Sequence, residues 1–350
     1  MGRPLNLNAQ NTPPTDPFSP ALDPDMNRFR RTTLATLTAS LALALLAPHA
    51  LAQPGYPAQT VTFVNNFPPG GPSDILARSV AAVLQETLKQ PFVVENKAGA
   101  AGNLGATAVA KAPADGYTVL FGIDTVFTVN PHLYPAMPFK GTDFKPVVIM
   151  ASSGLLLGVN PRTGIKTFGD LLSQGRTKTL NFSSAGNGSP GHLAAAQLGT
   201  STPVKTSHIP YRGNTPAVTA VLSGEVDGGI LATPGMLPHV QAGKITALAV
   251  TSAQRSRLAP QLPTVGELGL KTLEQEVLYV VMVPAATPDA VVQTLANGIN
   301  AALKRPELQA RMNSLDLFFE GTTGAAAAQR LASMSARYGQ IVRNTGMQAN

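Results

Sequence analysis

The sequence predicts an α/β protein of two lobes. Short β-branched or aromatic runs alternate with helical stretches between residues 61 and 250, and loops rich in glycine and proline separate them. The 350 residues, 44% hydrophobic and 13% charged, are long and apolar enough for two ordinary domains. Alternation of this kind implies right-handed helical crossovers, so we expect mostly parallel sheets with ligands bound in the loops beyond the carboxyl ends of the strands.

The first unit begins with a strand over residues 61–64, which a Pro-Pro-Gly-Gly-Pro cluster at 68–72 ends. A helix follows, and Ser73 or Asp74 is its predicted cap. Its buried face has helical spacing and is formed by Leu76, Val80, Val83, Leu84 and Leu88. Strands at 92–94 and 118–122, with a small-residue helix over 103–111 between them, complete a β-α-β-α-β order.

The second unit repeats the alternation. Its predicted strands are 180–183, 206–209, 226–230 and 246–250, and its predicted helices are 168–172, 192–198, 216–222 and 236–241. From Pro288 onward the pattern is helical, over 291–303, 307–313 and 325–342. The C-terminal helices need an apolar surface elsewhere in the protein to pack against, so we expect them to return to the first lobe. This predicts lobe 1 at 53–152 plus 277–350 and lobe 2 at 153–276, with crossings near 150–156 and 272–284.

The N-terminal segment predicts export. Arg28, Arg30 and Arg31 precede an uncharged stretch that ends in Ala50-Leu51-Ala52, a small-x-small cleavage site. Threonines and Ser40 interrupt the hydrophobic segment and leave it too short for a typical membrane span, which favours a signal peptide at 26–52. We expect cleavage after Ala52 and a periplasmic location. Residues 1–25 are interpreted as a non-native or disordered leader, and both Met1 and Met26, and both Sec and twin-arginine export, stay open.

Composition excludes several function classes. The chain has no cysteine, which rules out disulfides, zinc–thiolate sites and thiol nucleophiles. The net charge is +7, but no run of four basic residues occurs, so no nucleic-acid partner is expected. The histidines show no H-x-x-x-H or H-E-x-x-H spacing. We therefore expect no metal, no cofactor and no enzyme activity.

The loop over residues 67–74 is the first candidate site. Glycines expose backbone N–H groups, and the helix that follows presents its unpaired first-turn donors and the positive end of its dipole. Carboxylate or phosphate oxygens suit such a loop. It is no Walker loop, because no Lys-Ser or Lys-Thr follows the glycines. The alternative is an ordinary strand-to-helix turn.

The second candidate is the loop over residues 183–192. Gly186, Gly188 and Gly191 match G-x-G-x-x-G between a strand and a helix. The dinucleotide fingerprint then fails, because the first acidic residue after the loop is Glu225. Ser189 is a near miss for a nucleophile elbow, since Asn187 stands where the first glycine is needed. We interpret the loop as an anion-accepting turn.

The third candidate is the loop over residues 208–216. Arg212 could clamp a carboxylate with two hydrogen bonds, and Tyr211 could supply a stacking face and a hydroxyl. A surface arginine beside a core tyrosine is the alternative, and the sequence leaves the two open.

Several segments in order resemble one family. They are Phe67-Pro68-Pro69-Gly70-Gly71-Pro72-Ser73-Asp74, Val94-Glu95-Asn96-Lys97-Ala98-Gly99-Ala100-Ala101-Gly102-Asn103, Ala114-Asp115-Gly116-Tyr117-Thr118, Ser184-Ala185-Gly186-Asn187-Gly188-Ser189 and Pro210-Tyr211-Arg212-Gly213. Together they resemble the receptors of tripartite tricarboxylate transporters, also called Bug-type periplasmic solute-binding proteins. The resemblance covers residues 57–350.

The resemblance implies a two-lobe periplasmic-binding-protein fold of the type II-like class, with a ligand cleft between the lobes. The lobes would close on a small carboxylate, which is a dicarboxylate, tricarboxylate, amino acid or aromatic acid. Backbone donors and ordered waters would hold its carboxylate. The implied contacts in lobe 1 are Phe67, Gly70, Gly71, Ser73, Asp74, Asp124 and Thr125; those in lobe 2 are Ser184, Gly186, Asn187, Gly188, His192, Tyr211, Gly213, Thr215 and Asp227. Asp124 departs from the small polar residue of many relatives, which suggests a cationic or hydroxyl group on the ligand.

The resemblance also implies a partner, the integral membrane subunits of a transporter of that type, and we expect a monomer. Two alternatives stay open. The protein could be a sensor that passes the same ligand signal to a signalling partner, or a hydrolase that uses the same cleft.

Overall fold

The computed structural model describes residues 55–348, which belong to one compact unit. The predicted leader and signal peptide, residues 1–52, lie outside the described residues. Within residues 55–348, no helix is both long and apolar enough to cross a membrane.

The first sheet has six strands. They are β1 (Val61–Asn65), β2 (Phe92–Asn96), β3 (Thr118–Ile123), β4 (Phe144–Ser153), β10 (Val277–Pro284) and β11 (Phe318–Thr323), in the order β11-β4-β10-β3-β1-β2. The second sheet has five strands. They are β5 (Leu155–Val159), β6 (Leu180–Ser184), β7 (Thr206–Pro210), β8 (Gly228–Ala232) and β9 (Thr246–Val250), in the order β7-β6-β8-β5-β9.

Helices pack on both sheets. They are α1 (Pro72–Leu88), α2 (Asn103–Ala110), α3 (Thr125–Thr128), α4 (Asn130–Leu133), α5 (Phe168–Thr177), α6 (Pro190–Ser201), α7 (Asn214–Ser223), α8 (Thr233–Gln241), α9 (Asp289–Leu303), α10 (Pro306–Ser314) and α11 (Gly324–Thr345). The two-lobe α/β class is confirmed. The predicted lobe boundaries stay a proposal, although the chain passes from the first sheet to the second at Gly154 and returns between β9 and β10.

The sheets are mixed, which corrects the expectation of mostly parallel sheets. β1 is parallel to β2 and β3, and β6 is parallel to β7 and β8. In contrast, β10 is antiparallel to β3 and β4, β11 to β4, and β5 to β8 and β9. The strands that carry the chain between sheets explain the difference. β4 and β5 are separated by one glycine and lie in different sheets, so no crossover helix forces them to be parallel to their neighbours.

The buried face of helix α1 agrees with the prediction from the sequence, but its first residue does not. Leu76, Val80 and Leu84 are fully buried, as their spacing predicts. The cap, however, is Gly71, which corrects the expectation of Ser73 or Asp74. Pro72 occupies the first helical position because its fixed φ suits a helix start and its missing N–H needs no partner there.

The purely helical C-terminal pattern is also corrected, since β11 interrupts it. This strand pairs at the sheet edge with β4, in a register that is irregular between Phe319 and Thr322. A short edge strand with a glycine at φ +66°, Gly321, gives almost no alternating pattern to read. The last helix, α11, does return to the first lobe, where it lies against α3 and β4, and it also contacts α6 of the second lobe.

Candidate ligand-binding cleft

Two adjoining cavities lie where parallel strands of both sheets end, the place where open α/β sheets bind ligands. We call them the inner chamber, of about 340 Å³, and the outer chamber, of about 730 Å³. They share Phe67, Pro68, Ala185 and Gly213. The inner chamber is also lined by Pro69, Gly71, Pro72, Ser73, Ile123, Leu155, Ser189, Pro190, Gly191, Asn214, Thr215, Pro216, Ile230, Leu231, Ala232, Val277 and Tyr279. The outer chamber is also lined by Asn66, Ala98, Gly99, Ala100, Ala101, Gly102, Tyr134, Gly186, Asn187, Pro210, Tyr211 and Arg212.

Three helices begin at the wall of the inner chamber. These are α1, α6 and α7, and the first residues of each line the cavity. First-turn N–H groups have no acceptor within their own helix, and the dipole makes this end of a helix positive. Only α6 has a side-chain cap, because Ser189 Oγ accepts from His192 N at 3.3 Å, whereas Gly71 and Gly213 cap α1 and α7 without one. The chamber therefore offers backbone donors and positive helix ends to an anion.

The rest of the inner wall is apolar. Ile123 and Val277 come from the first sheet and Leu155 and Leu231 from the second. Burial raises the pKa of Tyr279 to about 12, so this phenol stays neutral, and its oxygen lies 3.3 Å from Ser153 Oγ. None of the described residues that line the inner chamber has a charged side chain. The chemistry fits an organic anion with an apolar body.

Asp74 fixes the first loop and does not line either chamber. Its carboxylate accepts from Gly70 N at 3.0 Å, Asn96 Nδ2 at 2.9 Å and Arg78 Nε at 3.2 Å. Burial works against the charged form, but these hydrogen bonds together hold the pKa of Asp74 below its ordinary value. Asn96 also donates to Phe67 O at 3.1 Å. A charged network thus sets the position of the loop that starts α1.

A stacked pair of histidines fixes the second loop. The rings of His192 and His208 are 3.8 Å apart and within 9° of parallel. His192 Nδ1 accepts from Gly188 N at 3.2 Å, and His208 Nε2 lies 2.6 Å from Ser184 Oγ. Burial lowers the pKa of His192 to about 4, and burial with the neighbouring His192 lowers that of His208 to about 3. Both rings are therefore neutral, and neither His192 nor Ser184 lines a chamber.

Two glycines mark where the lobes approach each other. A Cβ on Gly188 would lie 2.9 Å from Asn130 Oδ1, and one on Gly213 would lie 3.1 Å from Pro68 Cγ. Both have positive φ, +78° and +115°, which side chains rarely adopt. The two lobes can close to this separation because neither position carries a side chain.

The loop after β7 is anchored through Tyr211. Its N–H donates to Ser184 O at 3.0 Å and its hydroxyl to Glu225 Oε1 at 2.7 Å. Gly213 N donates to Tyr211 O at 2.9 Å, which places Arg212 at the centre of a three-residue turn. Arg212 is exposed and lies on the wall of the outer chamber. Its contact with an anion stays a prediction.

Asp124 and Thr125 are buried behind the inner chamber and do not line it. The Asp124 carboxylate accepts from Leu278 N at 2.9 Å and from Thr128 Oγ1 at 2.8 Å, so it ties the start of β10 to the end of β3. Burial raises its pKa to about 6. This placement corrects the expectation that Asp124 meets a group on the ligand, because the carboxylate has no exposed surface.

Asp227 lies at the wrong end of its strand for a ligand contact. It precedes β8, whereas the chambers lie beyond Ala232 at the other end. Its carboxylate binds Lys178 Nζ and Asn181 N, each at 2.9 Å. The expected contact is corrected for a simple reason: the predicted strand began at Val226, and a residue at the amino end of a parallel strand points away from the ligand edge.

Half of the expected contact residues line a chamber. These are Phe67, Gly71, Ser73, Gly186, Asn187, Tyr211, Gly213 and Thr215. Gly70 lines a separate groove of about 290 Å³ behind the first loop. Sequence reasoning missed Asn66, Tyr134, Leu155, Tyr279 and the segment 98–102. The segment carries a signal in its glycine spacing. Asn66 and Leu155 adjoin or begin strands, Tyr279 lies within β10 and Tyr134 follows the short helix α4, so each looks like a structural residue in the sequence.

No group of three His, Cys, Asp or Glu side chains suited to a metal ion occurs within residues 55–348.

Two α/β lobes that enclose a cleft built from strand ends and helix N-termini define a solute-binding protein of the periplasmic type. The family model described as the tripartite tricarboxylate transporter family receptor matches residues 76–347. The chain belongs to this family, which confirms the resemblance seen in the sequence.

Curated relatives agree. The chain is 33% identical over 332 residues to the UPF0065 protein in the tcbD-tcbE intergenic region of Pseudomonas sp. strain P51, an alignment that covers 93% of this chain and 98% of that protein. It is 36% identical over 253 residues to BugT of Bordetella pertussis, with 71% and 78% of the two chains covered.

Solved structures also match. R. palustris Rpa4515 with adipate has a TM-score of 0.80 and 32% identity, with 84% of this chain and 99% of that chain covered. The periplasmic binding protein BugD gives 0.79 and 29%, with 84% and 99% covered. MatC from Rhodopseudomonas palustris with bound malate gives 0.77 and 28%, with 82% and 100% covered.

Proposed function

We propose that the protein is an exported receptor that captures a small organic carboxylate between its lobes and delivers it to the membrane subunits of a tripartite tricarboxylate transporter. The inner chamber carries the proposal. Three helix N-termini surround a cavity with an otherwise apolar wall, an arrangement that binds a carboxylate without a charged side chain. Adipate and malate in the two related structures are carboxylates of this kind.

Export supports the location that the proposal needs. A signal peptide over residues 26–52, cleaved after Ala52, would release the mature chain into the periplasm. Comparison of the mass of the protein recovered from the periplasm with that of the unprocessed precursor tests both the cleavage site and the start at Met1 or Met26.

A thermal-shift screen tests ligand capture. The purified protein is unfolded and refolded to remove any ligand that copurified, then heated with dicarboxylates, tricarboxylates, amino acids and aromatic acids. A ligand at 100 times its Kd stabilises the folded state by about 2.7 kcal/mol. At roughly 2–4 °C per kcal/mol for a chain of this size, we expect a Tm rise of several degrees. No rise with any carboxylate would contradict the proposal.

Delivery needs a separate test in cells. Deletion of the gene should abolish uptake of the radiolabelled ligand found in the screen, and the intact gene should restore it. If uptake is unchanged while the ligand still binds, the sensor function becomes the better proposal.

A hydrolase needs a nucleophile and a base at the ligand. Ser184 Oγ and His208 Nε2 have the required separation of 2.6 Å, but the hydroxyl also contacts Gly186 O and neither side chain lines a chamber. This placement favours a receptor. Recovery of the bound ligand chemically unchanged after prolonged incubation is the expected result.

A further inference from the structure

The chain contains two Asn-Gly pairs, Asn187-Gly188 in the second loop of the cleft and Asn297-Gly298 in α9. An asparagine before a glycine is prone to deamidation, because glycine has no side chain to shield its amide nitrogen and its backbone turns easily. That nitrogen attacks the side-chain carbonyl carbon of the asparagine and expels ammonia. The reaction needs a backbone that lets the two atoms meet, so the structure distinguishes the two pairs.

Helical geometry protects Asn297. Gly298 lies inside α9, where each backbone N–H donates to the carbonyl four residues earlier. The Asn297 side chain is exposed, and its Oδ1 accepts from Gln293 Nε2 at 2.8 Å. Rotation of the peptide group between Asn297 and Gly298 toward this side chain would break the helix. This pair is therefore a slow internal reference.

Asn187 and Gly188 are the central residues of a turn. Ser189 N donates to Gly186 O at 3.1 Å, and Gly188, at the third position, has φ +78°, the form of a type II turn. A turn of this kind lacks the continuous hydrogen-bond ladder that holds a helix. The Asn187 side chain is half-buried on the wall of the outer chamber, so water can reach it.

Two side chains restrain the peptide group between Asn187 and Gly188. His192 Nδ1 accepts from Gly188 N at 3.2 Å, and Tyr134 Oη, just after α4, lies 3.5 Å from Asn187 O. Both contacts must be released before the Gly188 nitrogen can face Asn187 Cγ. His192 makes the shorter contact and is buried, so it is the stronger restraint.

We propose that Asn187 is a deamidation site, that His192 restrains the reaction as a positioning residue, and that conversion weakens ligand binding. A bond forms between Gly188 N and Asn187 Cγ, the Cγ–Nδ2 bond breaks, and the proton from Gly188 N leaves with the amide as ammonia. Water then opens the cyclic imide to aspartate or isoaspartate. Water is the only other reactant.

Either product changes the wall of the cleft. Among the described residues, no acid lines either chamber, so a new carboxylate at position 187 places the first negative charge there. Like charges at short range repel an anionic ligand. Isoaspartate also adds a methylene to the main chain, which displaces Gly188. This part of the inference rests on the proposed function, because it takes the ligand to be an anion.

Peptide mapping by mass spectrometry tests the site. The purified protein is incubated at mildly alkaline pH, where the amide nitrogen loses its proton more readily. Conversion at Asn187 and at Asn297 is followed in the same sample. We expect Asn187 to convert while Asn297 stays intact. Equal conversion of the two, including none at either, overturns the proposal.

Variants of His192 test the restraint. His192→Leu removes the acceptor, whereas His192→Asn keeps one, because its Oδ1 takes the place of Nδ1. His192→Leu should raise the ratio of conversion at Asn187 to that at Asn297 roughly threefold to tenfold, the rate equivalent of one hydrogen bond. His192→Asn should restore the ratio.

The ratio separates the restraint from a structural role of His192. General loosening of the fold would speed both reactions and would not raise the ratio, and that result overturns the role of His192. Tyr134→Phe removes the weaker contact and should raise the ratio less, which keeps the test open if His192→Leu does not fold. Circular dichroism checks the folding of each variant.

The effect on binding is measured on separated forms. Ion exchange resolves converted from intact protein by the added negative charge, and calorimetry with adipate and malate compares them. The converted form should bind at least about tenfold more weakly. Equal affinity overturns the effect on binding and leaves the proposed function intact. Failure of the intact form to bind any acid of the thermal-shift screen would instead contradict the proposed function, so the two failures are distinguishable.

Discussion

The first and second loops of the cleft both position the start of a helix, but a charged side chain fixes the first loop and neutral side chains fix the second. Each follows a parallel strand, each ends in a proline at the first helical position, and each places a helix start at the inner chamber. The first loop is fixed by the ionised Asp74 and its donors. The second is fixed by two neutral histidines. The backbone geometry of the proposed anion site is thus held by a charged carboxylate in the first loop and by neutral rings in the second.

The largest loss of folding stability is expected from a substitution at the second position of the helix that follows each loop. The second helical position is Ser73 in α1 and Gly191 in α6. A Cβ on Gly191 would overlap the backbone oxygen of Ile230, so Gly191→Ser should destabilise the fold by about 3 kcal/mol or more. The reciprocal Ser73→Gly should cost only about 1 kcal/mol. Urea unfolding of both variants measures the difference, and equal losses would contradict the role of close packing.

The second prediction concerns acid. A histidine whose folded pKa lies below its unfolded value of about 6.5 contributes stability above that pH, and the contribution is lost as the pH falls. For the pair, the loss should begin near pH 6.5 and continue through about pH 4 for His192 and 3 for His208, at roughly 1.4 kcal/mol per unit of pKa depression. Thermal unfolding between pH 7 and 4 measures it.

A variant separates this loss from other titrations. Asp124 acts in the opposite sense, because its raised pKa of about 6 makes the fold more stable as the pH falls from there toward its unfolded value. The comparison is therefore between wild type and His208→Gln, which share Asp124. The variant should lose less stability between pH 7 and 4, and parallel curves would contradict the prediction.

The third prediction concerns the charged loop. Asp74→Asn removes a charge that accepts from Arg78 and Gly70 N, so the fold should lose roughly 2 kcal/mol at neutral pH. Ligand affinity should fall about tenfold as the start of α1 loosens. Asp74 has a lowered pKa, so its contribution is lost only as the pH falls below about 4, a range distinct from that of the histidines.

Asp170→Asn is the matched control for Asp74→Asn. Asp170 also accepts backbone hydrogen bonds at a helix start, from Lys166 and Thr167, but it lies on α5 away from the chambers. It should leave ligand affinity unchanged. A similar fall in affinity for both variants would show that Asp74 acts through global stability alone.

The smallest effect is expected at the third loop. Glu225→Gln weakens the hydrogen bond from the Tyr211 hydroxyl, which lies at the surface. Exposed interactions of this kind contribute about 1 kcal/mol or less. We expect a Tm change of a few degrees at most and an affinity within about threefold of wild type. A larger loss of affinity would mean that this loop depends on a charge as the first loop does.

The sequence predicts the loops better than the side chains around them. Glycine and proline clusters locate all three loops, because their φ preferences are local properties. The stack of His192 on His208, in contrast, joins residues 16 positions apart through packing of helix α6 against β7, which no local pattern encodes. Asp124 and Asp227 look alike as acids near strands, and only the sheet order shows that one is buried and the other lies at the opposite edge.

The helix starts at α1, α6 and α7 have a consequence for how such a protein diversifies. Their donors belong to the main chain, so substitutions other than proline leave them in place. If the protein binds a carboxylate as proposed, that affinity comes with the backbone, while residues such as Leu155, Leu231 and Val277 can vary without removing the donors. A duplicated copy could then acquire a different acid through a few apolar replacements while it keeps the backbone donors.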